Sequence, residues 1–282
     1  MRNKYSYNLI KWSLRKVNLP IKSDALVLDV GSGSNPHPAA DVLLEKYVDI
    51  THRYAPLVAD RPTVLADACK MPFKDKAFDY VIAFHVLEHI NKPELFLNEL
   101  QRVGKAGYIE TPNAVFERLI PYDVHVLEIM NPKNELVIHK KTSAKPDEYI
   151  NNLKVVENFP KWNKFFYNNP ELFHVRYFWQ NEIKYRIVNP ELEADWINKI
   201  KATPSQEIVK TNTIINLRTL GLNYLRKFYN RRKKRTFNLL DILACPECHG
   251  CLTENDNYFV CERCKLKYSK IPLPDFNGGQ TF

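Results

Sequence analysis

The chain has 282 residues, 45% of them hydrophobic, which suffices for two domains and a sizeable core. Its 41 Lys and Arg against 32 Asp and Glu leave a formal net charge of +9, suited to acidic partners such as nucleic acid, anionic glycans or a membrane surface, although the plainer reading puts the excess in a few lysine-rich segments, since no nucleic-acid recognition module accompanies it. No apolar run approaches the roughly 20 residues that span a bilayer, so no membrane-spanning helix is expected.

The first twenty residues are basic, and Asn8, Lys11 and Arg15 interrupt their apolar positions, unlike a signal peptide. Leu9, Ile10, Trp12, Leu14 and Val17 fit one side of a short helix, read as a lid on the core rather than a membrane anchor. Without an export signal, the expected compartment is the cytoplasm.

From about residue 24 to 115, short apolar runs alternate with helical patterns, the habit of a parallel α/β sheet. Strands are expected over 26–30, 42–44, 63–65, 80–84 and 108–110. Pro93 opens a helix whose inner stripe is Leu95, Phe96, Leu100 and Val103. Residues 26–35 read Leu-Val-Leu-Asp-Val-Gly-Ser-Gly-Ser-Asn. The apolar run suits a strand buried on both faces. Gly31 and Gly33 permit a tight turn and a close ligand, and Asp29 sits at the strand's carboxyl end, where open α/β sheets bind ligands. Pro36 and Pro38 discourage a full helix after the turn, so the first crossover helix is expected to be shortened.

Residues 116–235 are less regular. Residues 136–140 read as a strand, and residues 174–179 and 182–188 as a hairpin around Gln180 and Asn181. Val175, Tyr177 and Trp179 would share one face, and Ile183, Tyr185 and Ile187 one face of the partner strand. The plain reading is an extended sheet edge; the functional one is an aromatic platform for a substrate. Ile214, Leu217, Tyr224, Leu225 and Phe228 suggest a helix weakened by Gly221, followed by the basic run 231–235, a solvated linker or a phosphate contact.

Five of the six cysteines lie within twenty residues. Cys245-Pro-Glu-Cys248 and Cys261-Glu-Arg-Cys264, twelve residues apart, have the spacing of one tetrahedral zinc site. Four protein ligands close such a site, making it structural, and thiolates match the softness of Zn2+. Cys251 and His249 are spare, and Cys69 reads as an inert small residue.

Four segments together resemble the class I S-adenosylmethionine-dependent methyltransferases, close to the type 11 group. They are Val27-Leu-Asp-Val-Gly-Ser-Gly33, Leu65-Ala-Asp-Ala-Cys-Lys-Met-Pro-Phe73, Ala77-Phe-Asp-Tyr-Val-Ile-Ala-Phe-His-Val-Leu-Glu-His-Ile90 and Glu99-Leu-Gln-Arg-Val-Gly-Lys-Ala-Gly107. The resemblance covers roughly the first half of the chain. It implies a Rossmann-like methyltransferase sheet with S-adenosyl-L-methionine as cofactor. Gly31 and Gly33 would line its methionine and ribose part, and Asp29 would hold its amino group or organise the turn. Glu45 is the best match for the ribose acid, with Asp41 and Asp49 as other choices. Asp67 would accept from the adenine amino group, with a backbone contact from Ala68, while Phe84 and His85 would border the methyl group. Asn35 and Pro36 depart from the usual third glycine and argue against a dinucleotide site.

Residues 238–252 and 268–275 also resemble a small zinc-ribbon family whose members bind and activate methyltransferases of tRNA, rRNA and release factor. The resemblance implies an enzyme joined covalently to an activator-like ribbon that contacts it, so that even a weak interface persists. The expected organisation is therefore a cofactor-binding domain with its lid over residues 1–140, a mixed α/β elaboration with hairpin and helix over 141–235, and a zinc ribbon over 236–282.

Methyl transfer asks for an aligned nucleophile, and for a base only if the acceptor must lose a proton. His85 and Glu88 are the candidate catalytic residues, with His89 beside them. For Glu88 and His89 the plain reading is a packing contact or a helix surface. Residues 110–113 form a second candidate substrate edge. The expected acceptor is a glycan or small metabolite; the alternatives are RNA or a translation protein, and a non-catalytic scaffold that has kept the fold.

Overall fold

The computed structural model describes residues 17–49, 56–143, 148–153, 158, 161–193 and 237–282. Most of the expected lid helix, the helix after Ile214 and the basic run 231–235 lie outside these residues.

Strands β1 (Val27–Val30), β2 (Val42–Glu45), β3 (Thr63–Leu65), β4 (Tyr80–Phe84) and β5 (Ala106–Pro112) form a parallel sheet in the order β3-β2-β1-β4-β5. Strands β1 to β4 are buried throughout, which explains their unbroken apolar character. Leu28, Val42, Leu44, Val64 and Val81 face one core cluster, and Val27, Leu43, Tyr80 and Ile82 the other. Helix α1 (Pro93–Val103) covers the first face with Phe96, Leu97, Leu100 and Val103. Leu95, expected on that stripe, is exposed, and Leu97 is buried in its stead.

The first crossover is more than shortened. No helix forms between β1 and β2, and the linking residues run through turns that carry Pro36 and Pro38. The chain order reverses between β1 and β4, which opens a crevice at the carboxyl ends of these strands, the place where such sheets bind ligands.

Beyond β5 come α2 (Ala114–Leu119), β6 (Leu127–Met130), β7 (Leu136–Lys140), α3 (Glu148–Leu153), α4 (Trp162–Asn168), β8 (His174–Gln180) and β9 (Tyr185–Ile187). The expected hairpin pairs differently. Strand β8 runs antiparallel beside β5, from Ala106 opposite Gln180 to Pro112 opposite His174. Strand β9 instead joins β7 in a separate sheet, β6-β7-β9, and a single bridge between Gln180 and Glu182 links the two segments. The face assignment holds: Val175, Tyr177, Trp179 and Ile183 lie in the main core, with Tyr185 and Ile187 against it. Alternation sets which face a side chain occupies, whereas the partner depends on which edge has unpaired backbone groups, and β5 offered one.

Residues 237–282 contain α5 (Leu239–Ile242), β10 (Thr253–Glu254), β11 (Tyr258–Cys261), β12 (Leu266–Ser269) and β13 (Asp275–Thr281), paired antiparallel in that order. This ribbon is continuous with the larger sheet. Asp275 of β13 pairs in parallel with Leu65 of β3, and Leu65 N–H donates to the Pro274 carbonyl at 2.7 Å. Leu243, Phe259, Tyr268 and Phe276 share the core cluster that contains Phe73 and Met71.

Candidate functional site

The glycine turn after β1 is held by its neighbours. Gly31 and Gly33 have φ of +65° and +58°, a region that favours glycine. A Cβ on Gly31 would stand 2.6 Å from Val86 Cγ2, whereas one on Gly33 would meet nothing within 4 Å, so there is open space over the turn. Asp29 is fully buried, and its Oδ2 accepts from His37 N–H at 2.7 Å, fixing the residues after the turn. Glu45, at the end of β2, accepts with Oε1 from Ser32 Oγ at 2.8 Å and Gly33 N–H at 2.6 Å. Of the three acids considered for the ribose, Glu45 is the one at the end of β2 with its carboxylate on the turn. Asp41 accepts from Val27 N–H at the opposite end of the strands, and Asp49 is exposed.

Asp67 follows β3. Its Oδ2 pairs with Lys46 Nζ at 2.7 Å and its Oδ1 accepts from Cys69 N–H at 2.8 Å. Burial works against its charge, but the Lys46 ammonium and the Cys69 amide outweigh it and hold the carboxyl below its ordinary value. Ala68 packs against the main core beside it. The Cys69 thiol is pushed up to about 12 by burial and by Asp67, consistent with an inert residue.

The segment 67–75 is gripped from two sides. On one, Glu99 accepts from Met71 N–H at 2.6 Å, while Arg102 donates to the Met71 and Phe73 carbonyls at 2.8 and 2.6 Å. On the other, the ribbon supplies an Ala244 N–H bond to the Pro72 carbonyl (3.0 Å), the Ile242 carbonyl for Lys74 N–H (2.9 Å), and Glu247 for Lys70 (2.6 Å). Asn277 also donates to the Lys46 carbonyl at 2.9 Å. The ribbon thus braces the segments that carry Asp67 and its partner Lys46.

A polar cluster lies where β4 and β5 end and β8 begins. Phe84 is buried, stacked on His37 and edge-on to Tyr108. His85 follows with φ +54° and donates its backbone N–H to the Glu110 carbonyl at 2.8 Å. A left-handed non-glycine residue costs energy and tends to occur at functional sites. Its Nδ1 lies 3.2 Å from Glu88 Oε1, its Nε2 3.9 Å from Glu110 Oε1, and its ring 5.2 Å from that of His174. Glu88, in a 3₁₀ turn over Leu87–His89, also accepts from Thr111 Oγ1 at 2.9 Å. Glu110 accepts from Tyr108 Oη and, at 3.1 Å, from Arg176 Nε. His85, Glu88 and the 110–113 edge, expected from sequence, therefore come together. His174 and Arg176 join them across the β5–β8 register, which local periodicity does not reveal.

The cluster is acid-sensitive. Burial, aided by the charge of His85, pushes the His174 imidazole down to about 4 from an ordinary 6.5. Folding therefore favours its neutral form. That contribution is complete above pH 6.5 and is lost as the pH falls toward 4, at a cost of about 3 kcal/mol. Glu88 is held at about 2 against an ordinary 4.5: burial opposes its charge, and His85 outweighs it. Its contribution is complete above pH 4.5 and is lost as the pH falls toward 2. Thermal denaturation should show the melting temperature falling between pH 6.5 and 4, with a shallower fall in His174→Gln; an equal slope in the variant would contradict this assignment.

The four ribbon sulfurs of Cys245, Cys248, Cys261 and Cys264 lie within 4.8 Å of one another, with Cys248 Sγ 3.6 Å from Cys261 Sγ. A zinc ion with Zn–S bonds of about 2.3 Å sets tetrahedral sulfurs about 3.8 Å apart. The set therefore fits Zn2+, while Cys251 is exposed and outside it. Among the described residues no helix is long and apolar enough to cross a membrane.

Residues 28–109 match the methyltransferase domain family. A curated relative, ajmaline N-methyltransferase of Rauvolfia serpentina, is 34% identical over 81 residues, which are 28% of this chain and 26% of that protein. The chain thus spans about a quarter of the length of the curated relative it matches. Two solved structures are similar at a TM-score of 0.32 each. One is a Haloferax volcanii complex between the Trm112 methyltransferase activator and a putative methyltransferase, at 16% identity over 45% of this chain and 70% of that one. The other is a putative methyltransferase from Bacillus halodurans C-125, at 21% identity over 44% and 70%. With its sheet order, glycine turn and acids at the ends of β2 and β3, the segment 28–109 is a class I S-adenosylmethionine-dependent methyltransferase domain.

Proposed function

We propose that this chain transfers a methyl group from S-adenosylmethionine to a hydroxyl or amine of a glycan or small metabolite, with His85 as the proton acceptor. The cofactor supplies an electrophilic methyl group when bound. The chain's own residues would bind and orient it: Glu45 and Asp67 as acceptors for ribose and adenine, and the Gly31–Gly33 turn for close approach. His85 carries the reading. Its Nδ1 faces the Glu88 carboxylate, an acceptor, so in the neutral ring Nδ1 holds the proton and Nε2, 3.9 Å from Glu110 Oε1, is the basic nitrogen. A base with an orienting carboxylate is what general-base catalysis calls for, and the His85–Glu88 contact supports that reading. Arg176 and Glu110 add a charged pair for a polar acceptor.

Charge distribution supports a small acceptor. Residues 194–236 hold eleven Lys and Arg against two Asp and Glu, a net +9 that equals the charge of the whole chain. The rest of the chain is balanced, without the excess that phosphate binding calls on. The same basic block favours the second reading, an RNA or translation-protein acceptor. Labelled S-adenosylmethionine incubated with RNA, protein and small-molecule fractions of a cell extract tests both. Label in the small-molecule or glycan fraction, with little dependence on salt, is expected; label in RNA that falls steeply with salt would overturn the first reading.

A further inference from the structure

We propose that Glu88, His89 and His125 form a second metal site, apart from the cysteine cluster, for a divalent first-row transition cation such as Mn2+ or Zn2+. One nitrogen from each imidazole and one Glu88 oxygen lie within 4.8 Å of one another. Ligands on a single ion at about 2.1 Å each stand roughly 3.0–3.5 Å apart, so small side-chain rotations close the set. Glu88 and His125 are buried and His89 is partly exposed, so the group lies at the edge of the core.

The surroundings of the two imidazoles are those of metal ligands. His125 Nδ1 lies 2.7 Å from Glu117 Oε2. Glu117 is buried and is itself fixed by Lys141 Nζ at 2.9 Å and Tyr122 N–H at 3.2 Å. His89 Nδ1 lies 3.1 Å from the Val124 carbonyl. Both partners are acceptors, so each Nδ1 donates and each Nε2 keeps its lone pair. Metal-ligating histidines are characteristically oriented by a carboxylate or a carbonyl on the other ring nitrogen. The two rings meet edge-on, with centroids 4.7 Å apart. A plain packing contact asks for neither an orienting carboxylate nor a third ligand atom within reach of both rings.

Two imidazoles and a carboxylate suit Mn2+, Fe2+, Co2+ or Zn2+ better than Ca2+ or Mg2+, which favour all-oxygen sets. Three protein ligands leave positions open for water or another oxygen ligand. Glu88 belongs to both clusters, so the cation would sit next to His85.

The test uses the full chain with its ribbon already loaded with zinc. Mn2+ is titrated in, and the free ion is followed by electron paramagnetic resonance. Zinc content and the melting curve of every variant report on the ribbon and the fold. The wild type should bind one Mn2+ per chain. His89→Ala, a change at the surface, should weaken binding at least about tenfold, and Glu117→Gln, which leaves all three ligands in place, by about 10- to 100-fold. Absence of bound Mn2+ in the wild type, or equal binding by a folded His89→Ala, would overturn the proposal and leave a histidine packing contact.

Discussion

Cys261→Ser is expected to abolish zinc binding by the ribbon and, with it, to weaken S-adenosylhomocysteine binding on the order of 10- to 100-fold. A structural zinc contributes roughly 10–16 kcal/mol to a small domain, and a ribbon of this size cannot build enough core alone. The consequence for the cofactor site follows from the contacts. Leu65 N–H, the Pro72 carbonyl and Lys74 N–H all have partners in the ribbon segment 242–274. Three backbone bonds at about 1 kcal/mol each amount to roughly two powers of ten in affinity if the Asp67 segment must be ordered by the ligand instead. Glu99 and Arg102 still hold that segment from the other side, so the domain should remain folded. Zinc content, thermal denaturation and calorimetry on the same sample check this. Unchanged cofactor affinity with the zinc gone would show that the ribbon does not brace the site.

Glu110→Ala should cost about 3–5 kcal/mol of stability and most of the transfer activity. The side chain is buried and faces Tyr108 Oη, Arg176 Nε and the His85 ring. The carboxylate is buried while Arg176 is only partly so, and truncation removes the acceptor of the buried Tyr108 hydroxyl together with the Glu110–Arg176 pair. Glu110→Gln keeps the shape and removes the charge. It should retain the fold while lowering transfer, because Arg176 loses its anionic partner. Denaturation and turnover measured on both variants separate the two effects. Wild-type activity in Glu110→Ala would remove this cluster from the account.

The parts of this architecture that depend on local chemistry were legible in the sequence. Residues 63–65, 80–84 and 136–140 became strands with the expected bounds, because uninterrupted apolar runs between turn residues leave few alternatives. The four cysteines converge as their spacing demands. Pairing was less legible. The aromatic alternation of residues 174–188 assigned faces correctly and partners incorrectly, since β8 found the edge of β5 and β9 that of β7. His174 and Arg176 were missed for the same reason: only the β5–β8 register sets Arg176 opposite Glu110. Glu117 and His125 lie in a stretch with no clear period, and nothing local links His125 to His89, thirty-six residues earlier. Leu95 shows the remaining limit, because a helical stripe read by period alone has uncertain borders.

The central claim is that the crevice at the carboxyl ends of β1 and β4, with the acids that follow β2 and β3 beside it, binds S-adenosylmethionine. Titration calorimetry of the intact, zinc-loaded chain with S-adenosylhomocysteine tests it most directly. Asp67 is the proposed acceptor for the adenine amino group, and a hydrogen bond to a charged group contributes roughly 1.5–3 kcal/mol. The account predicts one site per chain, with affinity reduced on the order of tenfold or more in Asp67→Ala. No binding by the folded wild-type protein would contradict it.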